Sequence, residues 1–460
     1  MGIFGDLDSW GIRTLRRNLS DLEVDYQIHL WKILMEPVIL MFVVFGTTLI
    51  LGVPIAFCLI LASLPPIVIE PRLTEVLLAQ RMYNSLDSFV LLAVPFFLLA
   101  GNLMNASGVT ERLIRYADTR VGHIRGGIAH INVFVSMLFA GVSGSSTADT
   151  AGVGSVLIPA MQSKGFPGSF SVALTAASSV MGTIIPPSIT LVVWGALTNT
   201  SVAQLFAAGI LPGIMIAVVQ FTYIWLWCKR NGIKAFGQRA STAERRLAFR
   251  RAAPGMLLPL ILLGSIMFGL ATPTEASILA VAYALFIGFF VYRQLSIEEF
   301  WEQLINSSKL VSLSLFCLAS AGLFAWLLTY YGIPQSIASI LQDVSNPAIL
   351  LFGVALICIF LGLFLDALVV IVIIGPLFLP SILAVGADPV QYGIVACVTL
   401  SLGLVTPPYG LCLLIASAIA KIGMHEAFSE TLKLFGMMLA VVLLLILIPQ
   451  ITTFPASLIR

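Results

Sequence analysis

The feature that most limits how this chain can fold is its division into apolar stretches of about 20 to 40 residues, separated by short charged patches. They fall at approximately 34–69, 88–107, 127–160, 168–198, 205–228, 253–293, 310–331, 346–383, 390–420 and 429–454. A helix needs roughly 20 apolar residues to cross the hydrocarbon of a bilayer, so about ten crossings fit. Composition agrees, with 59% hydrophobic and 10% charged residues, where soluble domains carry about 25% charged. A soluble enzyme and a singly anchored domain are excluded. The net charge of +2 leaves no electrostatic footprint for nucleic acid.

Local charge sets the topology. Residues 229–252 carry Lys229, Arg230, Lys234, Arg239, Arg245, Arg246, Arg250 and Arg251 against the single acid Glu244, which places this segment in the cytoplasm by the positive-inside rule. Arg112, Arg115, Arg120 and Arg125 place 110–126 on the same side, while Gly332 to Pro347, with Asp343 and no basic residue, suits the outer face. Residues 1–33 mix Arg13, Arg16 and Arg17 with acids such as Asp6 and Glu23. Lacking the apolar run of a signal peptide, they read as a polar or interfacial N-terminal extension. Cys58, Cys228, Cys317, Cys358, Cys397 and Cys412 stand singly with no CxxC pair, and read as small core residues rather than disulfides or metal ligands.

The block at 127–160 has basic residues on both flanks and the run FAGVSGSSTADTAG in its middle. Two full crossings or a re-entrant hairpin would satisfy those flanks. A polar tip at mid-membrane survives only inside protein or against a wet cavity, so a hairpin here implies a polar site within the bundle. A shift of 221 residues superposes Gly141 on Gly362, Gly154 on Gly375, Pro159 on Pro380, Gly165 on Gly386, Gly182 on Gly403, and Pro186-Pro187 on Pro407-Pro408. Chance would give about one such match. Counting 253–293 as two spans puts five crossings between the Pro-Pro segments, an odd number that inverts the second copy. The expected organisation is an all-α membrane protein of about ten transmembrane helices plus two re-entrant hairpins, in two inverted-topology repeats. The first repeat is 34–228, with hairpin 127–160 and broken helix 168–198. After the basic loop 229–252, the second is 253–460, with hairpin 346–383 and broken helix 390–420. Such repeats with broken helices are the pattern of secondary transporters, with the site at their interface near the midplane.

The Pro-Pro segments, MGTIIPPS and LGLVTPPYG, break their helices because each proline removes an amide donor and clashes with the preceding turn. The carbonyls so freed need partners in hydrocarbon, and a hard cation such as sodium takes oxygen ligands of this kind. Thr406 adds a hydroxyl. At the first tip, Ser143 to Ser146 with Thr147 and Thr150 offer hydroxyls and carbonyls for a cation, and amides for an anionic substrate. Asp366, aligned with Ser145, is a lone acid in an apolar run, which is costly and usually functional. Asp149 is a candidate brace for the hairpin, and Glu275, beside Pro273, a structural acceptor for freed amides.

Two other classes remain. Gly141-Val142-Ser143-Gly144 fits the GxSG pattern of intramembrane serine proteases, whose Ser143 would need a histidine base within hydrogen-bond reach. Of His29, His123, His130 and His425, none is a convincing base. A channel or uniporter for small anions is the other, although paired broken helices suit alternating access better.

The stretches AGNLMNASGVTERLI (Ala100 to Ile114), FAGVSGSSTADTAGVGSVLIPAM (Phe139 to Met161), GTIIPPS (Gly182 to Ser188), LFAAGILPGI (Leu205 to Ile214), GLATPTEAS (Gly269 to Ser277) and GLVTPPYG (Gly403 to Gly410) resemble the large membrane subunit of tripartite ATP-independent periplasmic (TRAP) transporters. The likeness spans about residues 38 to 455. It implies an elevator-type, sodium-coupled importer of an organic acid in the bacterial inner membrane, not an enzyme. A small membrane subunit and a periplasmic substrate-binding protein would be its partners, and Na+ its coupling ion. It further implies one sodium site at Ser143, Ser146, Gly362, Gly403 and Thr406, and a second at carbonyls around Gly182, Ile184 and Pro187. Substrate would lie near Ser145 and Asp366. Phe364-Leu365 stand where the first tip has Ser143-Gly144, so the tips are not equivalent. A carboxylate substrate would be repelled by Asp366 unless that acid meets a hydroxyl, an amine or a cation. C4-dicarboxylates, sugar acids and keto acids are the candidate substrates. No GxxxxGK[ST] motif occurs, in keeping with a gradient rather than ATP as the energy source.

Overall fold

The computed structural model describes residues 36–459 except 234, 236–238, 342–343, 345 and 409. The N-terminal extension at 1–33 and the outer-face marker Asp343 lie outside the described residues. Among those described the chain is helical, with a lone β-bridge between Arg125 and Ala235.

Five helices precede the first hairpin: α1 (Pro37–Ile50), α2 (Ile55–Ile69), α3 (Glu75–Leu86), α4 (Ala93–Ala106) and α5 (Val109–Val121). The hairpin arms are α6 (Gly127–Ser143) and α7 (Ser146–Ser163), and the first broken helix is α8 (Gly168–Ser179) followed by α9 (Ile189–Thr198). Then come α10 (Val202–Arg230), α11 (Thr242–Met267), α12 (Pro273–Phe286), α13 (Ile297–Tyr330) and α14 (Ile333–Ile340). The second hairpin is α15 (Pro347–Gly362) with α16 (Ala367–Ala384), and the second broken helix is α17 (Pro389–Gly403) with α18 (Leu411–Ala420). Helices α19 (Met424–Leu447) and α20 (Gln450–Ser457) close the chain.

Among the described residues seven helices are long and apolar enough to cross a membrane, including α10, α13, α16 and α19. That is fewer than the ten apolar stretches, because glycine and proline cut several of them into arms of 10–17 residues. At 1.5 Å per residue such an arm falls short of the roughly 30 Å hydrocarbon core. The stretch at 253–293 is two helices, α11 and α12. Thr272 caps α12, its hydroxyl and amide both engaging Glu275, at 2.8 Å each. That capping box satisfies amides that the Pro273 break exposes. The stretch at 34–69 is likewise two helices, α1 and α2, turning at Leu51 to Pro54.

Packing gathers the helices into two groups, joined where α5 lies on α6 and α13 on α16. In one, α2, α3 and α4 lie along α13, α4 also packs on α12, and α11 on α5. In the other, each hairpin meets the broken helix of the opposite half: α7 packs on α18 and α9 on α16, while α8 lies on α19 and α17 on α10. The hydrophobic keystone of this second set is Trp194. It is fully buried, edge-on to Tyr392 at 4.7 Å between ring centroids, and seated where Gly393 leaves room, since a Cβ there would come within 2.5 Å of the indole nitrogen. Trp194→Ala is expected to destabilise the protein by about 3–5 kcal/mol, as large buried aromatics do when truncated. A lowered thermal unfolding midpoint of the purified protein in detergent would register it.

Candidate functional site

A cavity of about 860 Å³ lies between the two hairpin tips. Ser145, Ser146 and Thr147 line it from the first tip, and Asp366 and Leu368 from the second. Thr183, Thr190 and Leu404 come from the two helix breaks, and Asn102 and Asn105 from α4. Glu111 and Gln294 line both this cavity and a second one rimmed by Arg112, Arg115, Arg250 and Arg251. The cavity therefore opens on the basic face, which the positive-inside rule assigns to the cytoplasm. The charged side chains lining it, Glu111, Glu299 and Asp366, are all acidic.

The first tip is made by Gly144, which ends α6 in the left-handed region (φ +62°), and by Ser145, which caps α7 through an amide contact from Ala148. Only a backbone without a side chain fits here. A Cβ on Gly144 would come within 2.7 Å of the Pro187 carbonyl oxygen, and one on Gly182 within 3.0 Å of Ser145 and Ser146 backbone atoms. Ser146 Oγ lies 3.1 Å from Thr183 Oγ1. The break itself is partly satisfied from within, since the Ser188 and Thr190 hydroxyls both donate to the Thr183 carbonyl. At the second tip, Asp366 caps α16, its Oδ1 accepting from the Leu368 amide at 2.9 Å. A Cβ on Gly403 would stand 2.5 Å from the Gly362 carbonyl oxygen, and Thr406 donates to the Gly403 carbonyl at 3.0 Å.

Ser145 and Asp366 thus share one cavity. The residues expected to hold ions fall at three contacts. Ser146 meets Gly182 and Thr183, Gly144 meets Pro187, and Gly362 meets Gly403 beside Thr406. Ser143 turns its hydroxyl back to Ser145, 3.4 Å away. The Ile184 carbonyl faces α10, where a Cβ on Gly209 would come within 2.6 Å of it. Between Ser146 and the Gly362–Gly403 contact stands a hydroxyl pair, Thr183 and Ser401, 2.7 Å apart. Each tip is therefore packed against the break of its own half, because glycine faces glycine or bare backbone at both places. The roles of Asn102, Asn105 and Thr190 were missed from sequence, although two asparagines three residues apart in apolar α4 were a usable signal.

The protease reading fails on geometry. His130 belongs to the same continuous α6 as Ser143, 13 residues away, about 20 Å along the axis. Its ring stacks on Phe221, with Nδ1 facing the Gly126 carbonyl.

The model of the family described as "Tripartite ATP-independent periplasmic transporter, DctM component" matches residues 40–451. The chain belongs to this family. Among DctM relatives, the sialic acid TRAP transporter large permease protein SiaM of Vibrio cholerae is 36% identical over 87% of this chain and 94% of its own. The C4-dicarboxylate TRAP transporter large permease protein DctM of Pseudomonas aeruginosa is 38% identical over 82% of this chain and 88% of its own. The 2,3-diketo-L-gulonate large permease protein YiaN of Escherichia coli is 33% identical over 88% and 95%. In fold the chain is similar to the YdaH transporter of Alcanivorax borkumensis, with a TM-score of 0.57 over 80% of this chain and 86% of that one, at 16% identity. The chain is thus a multi-pass membrane permease of the DctM family, not an enzyme.

Gly182→Ala and Gly403→Ala force a methyl group into a tip–break contact, whereas Gly353→Ala adds one where nothing lies within 4 Å. The first two are expected to insert in the membrane normally yet lose transport, the third to keep it. Uptake into proteoliposomes, normalised to inserted protein, checks this.

Proposed function

We propose that this DctM-family chain is the large permease subunit of a sodium-coupled importer of a small organic acid in the bacterial inner membrane. The observation that carries the proposal is the cavity itself: both helix-capped tips converge on it, and Glu111 and Gln294 connect it to the cavity on the basic side of the bundle. A solute released there would reach the cytoplasm, and the opposite access requires the tips to move.

Helix N-termini favour anions. With no basic side chain among the described residues that line the cavity, a substrate carboxylate would be held by the first turns of α7 and α16 and by the Ser145 hydroxyl. Asp366, whose Oδ1 is engaged by the Leu368 amide, would present its other oxygen to a substrate hydroxyl or amine. Sodium would bind where tip meets break, one ion among Ser143, Ser146, Gly182 and Pro187, the other among Gly362, Gly403 and Thr406. These are oxygen-rich backbone contacts of the kind that hold coupling ions in transporters with broken helices.

The equal order and crossed packing of α6–α9 and α15–α18 support two inverted repeats. They also support an elevator motion, in which those helices travel as a body against the set built on α13. A small membrane subunit and a substrate-binding protein would complete the importer. Sialic acid, C4-dicarboxylate and 2,3-diketo-L-gulonate, named for the relatives, mark the range of substrates to try.

The test is uptake of labelled organic acids into proteoliposomes holding this chain and its small subunit, with the binding protein outside, under inward sodium or potassium gradients. Accumulation of one acid under sodium alone is expected, lost in Asp366→Asn and Thr406→Ala. Equal uptake under potassium would refute the coupling.

A further inference from the structure

The second cavity, of about 1110 Å³, is opposite in charge to the first. It is walled by α5, by the first half of α11, by the chain leaving α12 and by the base of the first hairpin. Six cationic side chains line it: Arg112 and Arg115 on α5, Lys164 at the end of α7, Arg239 before α11, and Arg250 and Arg251 on α11. The acids beside them are Glu111, Asp118 and Glu244. Glu244 Oε2 is taken by the Ser241 amide and hydroxyl, at 2.7 and 2.8 Å. None of the six cations has an ion-pair partner among the described residues, where the pair found is Lys433 with Glu430. Gathering like charges around a hollow costs free energy that salt only partly screens, and an anion between them offsets it.

Part of this charge is held in place. Arg112 Nη1 donates to the Gly108 carbonyl at 2.7 Å and to Gln294 Oε1 at 2.8 Å, and its guanidinium lies 3.8 Å over the Tyr292 ring. The same tyrosine donates its hydroxyl to the Arg251 carbonyl at 2.9 Å, so one residue fixes the α5 arginine relative to α11. Planar guanidiniums at a set spacing match the oxygens of a phosphate. Position decides where that phosphate comes from. Helix α11 is charged through Arg251 and largely apolar from Ala252 onward, so the cavity sits where hydrocarbon gives way to cytoplasm. Two exposed apolar side chains, Leu247 and Val291, line it, and Phe290 is exposed next to Val291. A soluble anion gains nothing from such a rim, whereas the acyl chains of a lipid would cover it. Basic pockets between helices on the cytoplasmic side take anionic lipid headgroups for this reason.

We propose that this cavity binds the headgroup phosphate of an anionic phospholipid from the cytoplasmic leaflet, with Arg115, Arg250 and Arg251 on the phosphate oxygens beside the anchored Arg112. The site is independent of the coupling ion and of the solute carried. Lys164 gives it a mechanical consequence. It ends α7 of the first hairpin, whereas the arginines belong to α5, α11 and the segment before α11. A headgroup held from both sides ties the hairpin to those helices in the arrangement that joins the substrate cavity to the basic face.

The experiment is native mass spectrometry of the full chain with its small subunit in detergent, titrated with phosphatidylglycerol or phosphatidylcholine. Wild type is compared with Arg250→Gln/Arg251→Gln and with Arg230→Gln/Arg246→Gln, which removes the same charge from exposed arginines that do not line the cavity. Wild type is expected to retain phosphatidylglycerol in preference to phosphatidylcholine. The first double variant should weaken that binding by about tenfold, the loss of charge-assisted contacts, and the second should leave it unchanged. If the first double variant fails to fold, Lys164→Gln and Arg115→Gln, both exposed, carry the same expectation singly. Equal affinity in all variants, equal weakening in both double variants, or no preference for phosphatidylglycerol in wild type would overturn the site. Displacement of the lipid by inorganic phosphate at equal concentration would overturn the lipid source and assign the arginines to free phosphate.

Discussion

Every polar backbone group in hydrocarbon needs a partner, and this fold is organised around the places where the helix no longer supplies one. Two proline pairs and two hairpin turns open the backbone inside the bundle. Each opening lies against another opening, and the first break also against α10 at Gly209. Gly182 lies against the first tip and Gly403 against Gly362, so close that no side chain fits between them. The crossed arrangement of α7 on α18 and α9 on α16 follows from that pairing, because the arms must run where their ends are held. The cavity is what remains between the two covered openings.

The surroundings of these contacts are unusually rich in small and hydroxylated residues for a membrane interior. Ser136, Thr175, Ser178, Ser179, Ser188, Thr190, Thr399 and Ser401 are all buried, and half of them turn their protons onto carbonyls of their own helix. Such bonds absorb local backbone demand without adding charge. They leave lone pairs facing inward, which is how an apolar bundle presents an oxygen-lined interior. Aromatic packing surrounds that interior, with Phe170 stacked on Trp227 at 4.0 Å and Trp194 edge-on to Tyr392.

Much of this was legible in the sequence. The apolar stretches, the double prolines and the Gly-Ser run located the breaks and the first tip, since each has a local cause: a missing amide, or a residue tolerant of positive φ. Asp366 stood out as a lone acid in an apolar run, and it does line the cavity. What local pattern does not encode is which opening covers which. The family resemblance implied Ser143 and Ser146 together with Gly362, Gly403 and Thr406, and packing sets Ser146 beside Gly182 and Thr183. The hydrogen bonds between α6 and α8, Asn132 to Thr175 and Ser136 with Ser178, were equally hidden. Asn132 with Ser136, and Thr175 with Ser179, each repeat at four residues and so share a helix face, but isolated hydroxyls in apolar helices look like ordinary small packing residues.

The hydroxyl pair Thr183 and Ser401 ties the two halves together at their centre, and it is off-register. The position 221 residues after Thr183 is Leu404, and the one 221 before Ser401 is Val180. Neither counterpart can form the same bond, so the link exists once, where two equal halves would have made it twice or not at all. The first tip is thereby joined to a polar chain and the second faces leucine. Glycine closes both contacts, yet what surrounds each one differs.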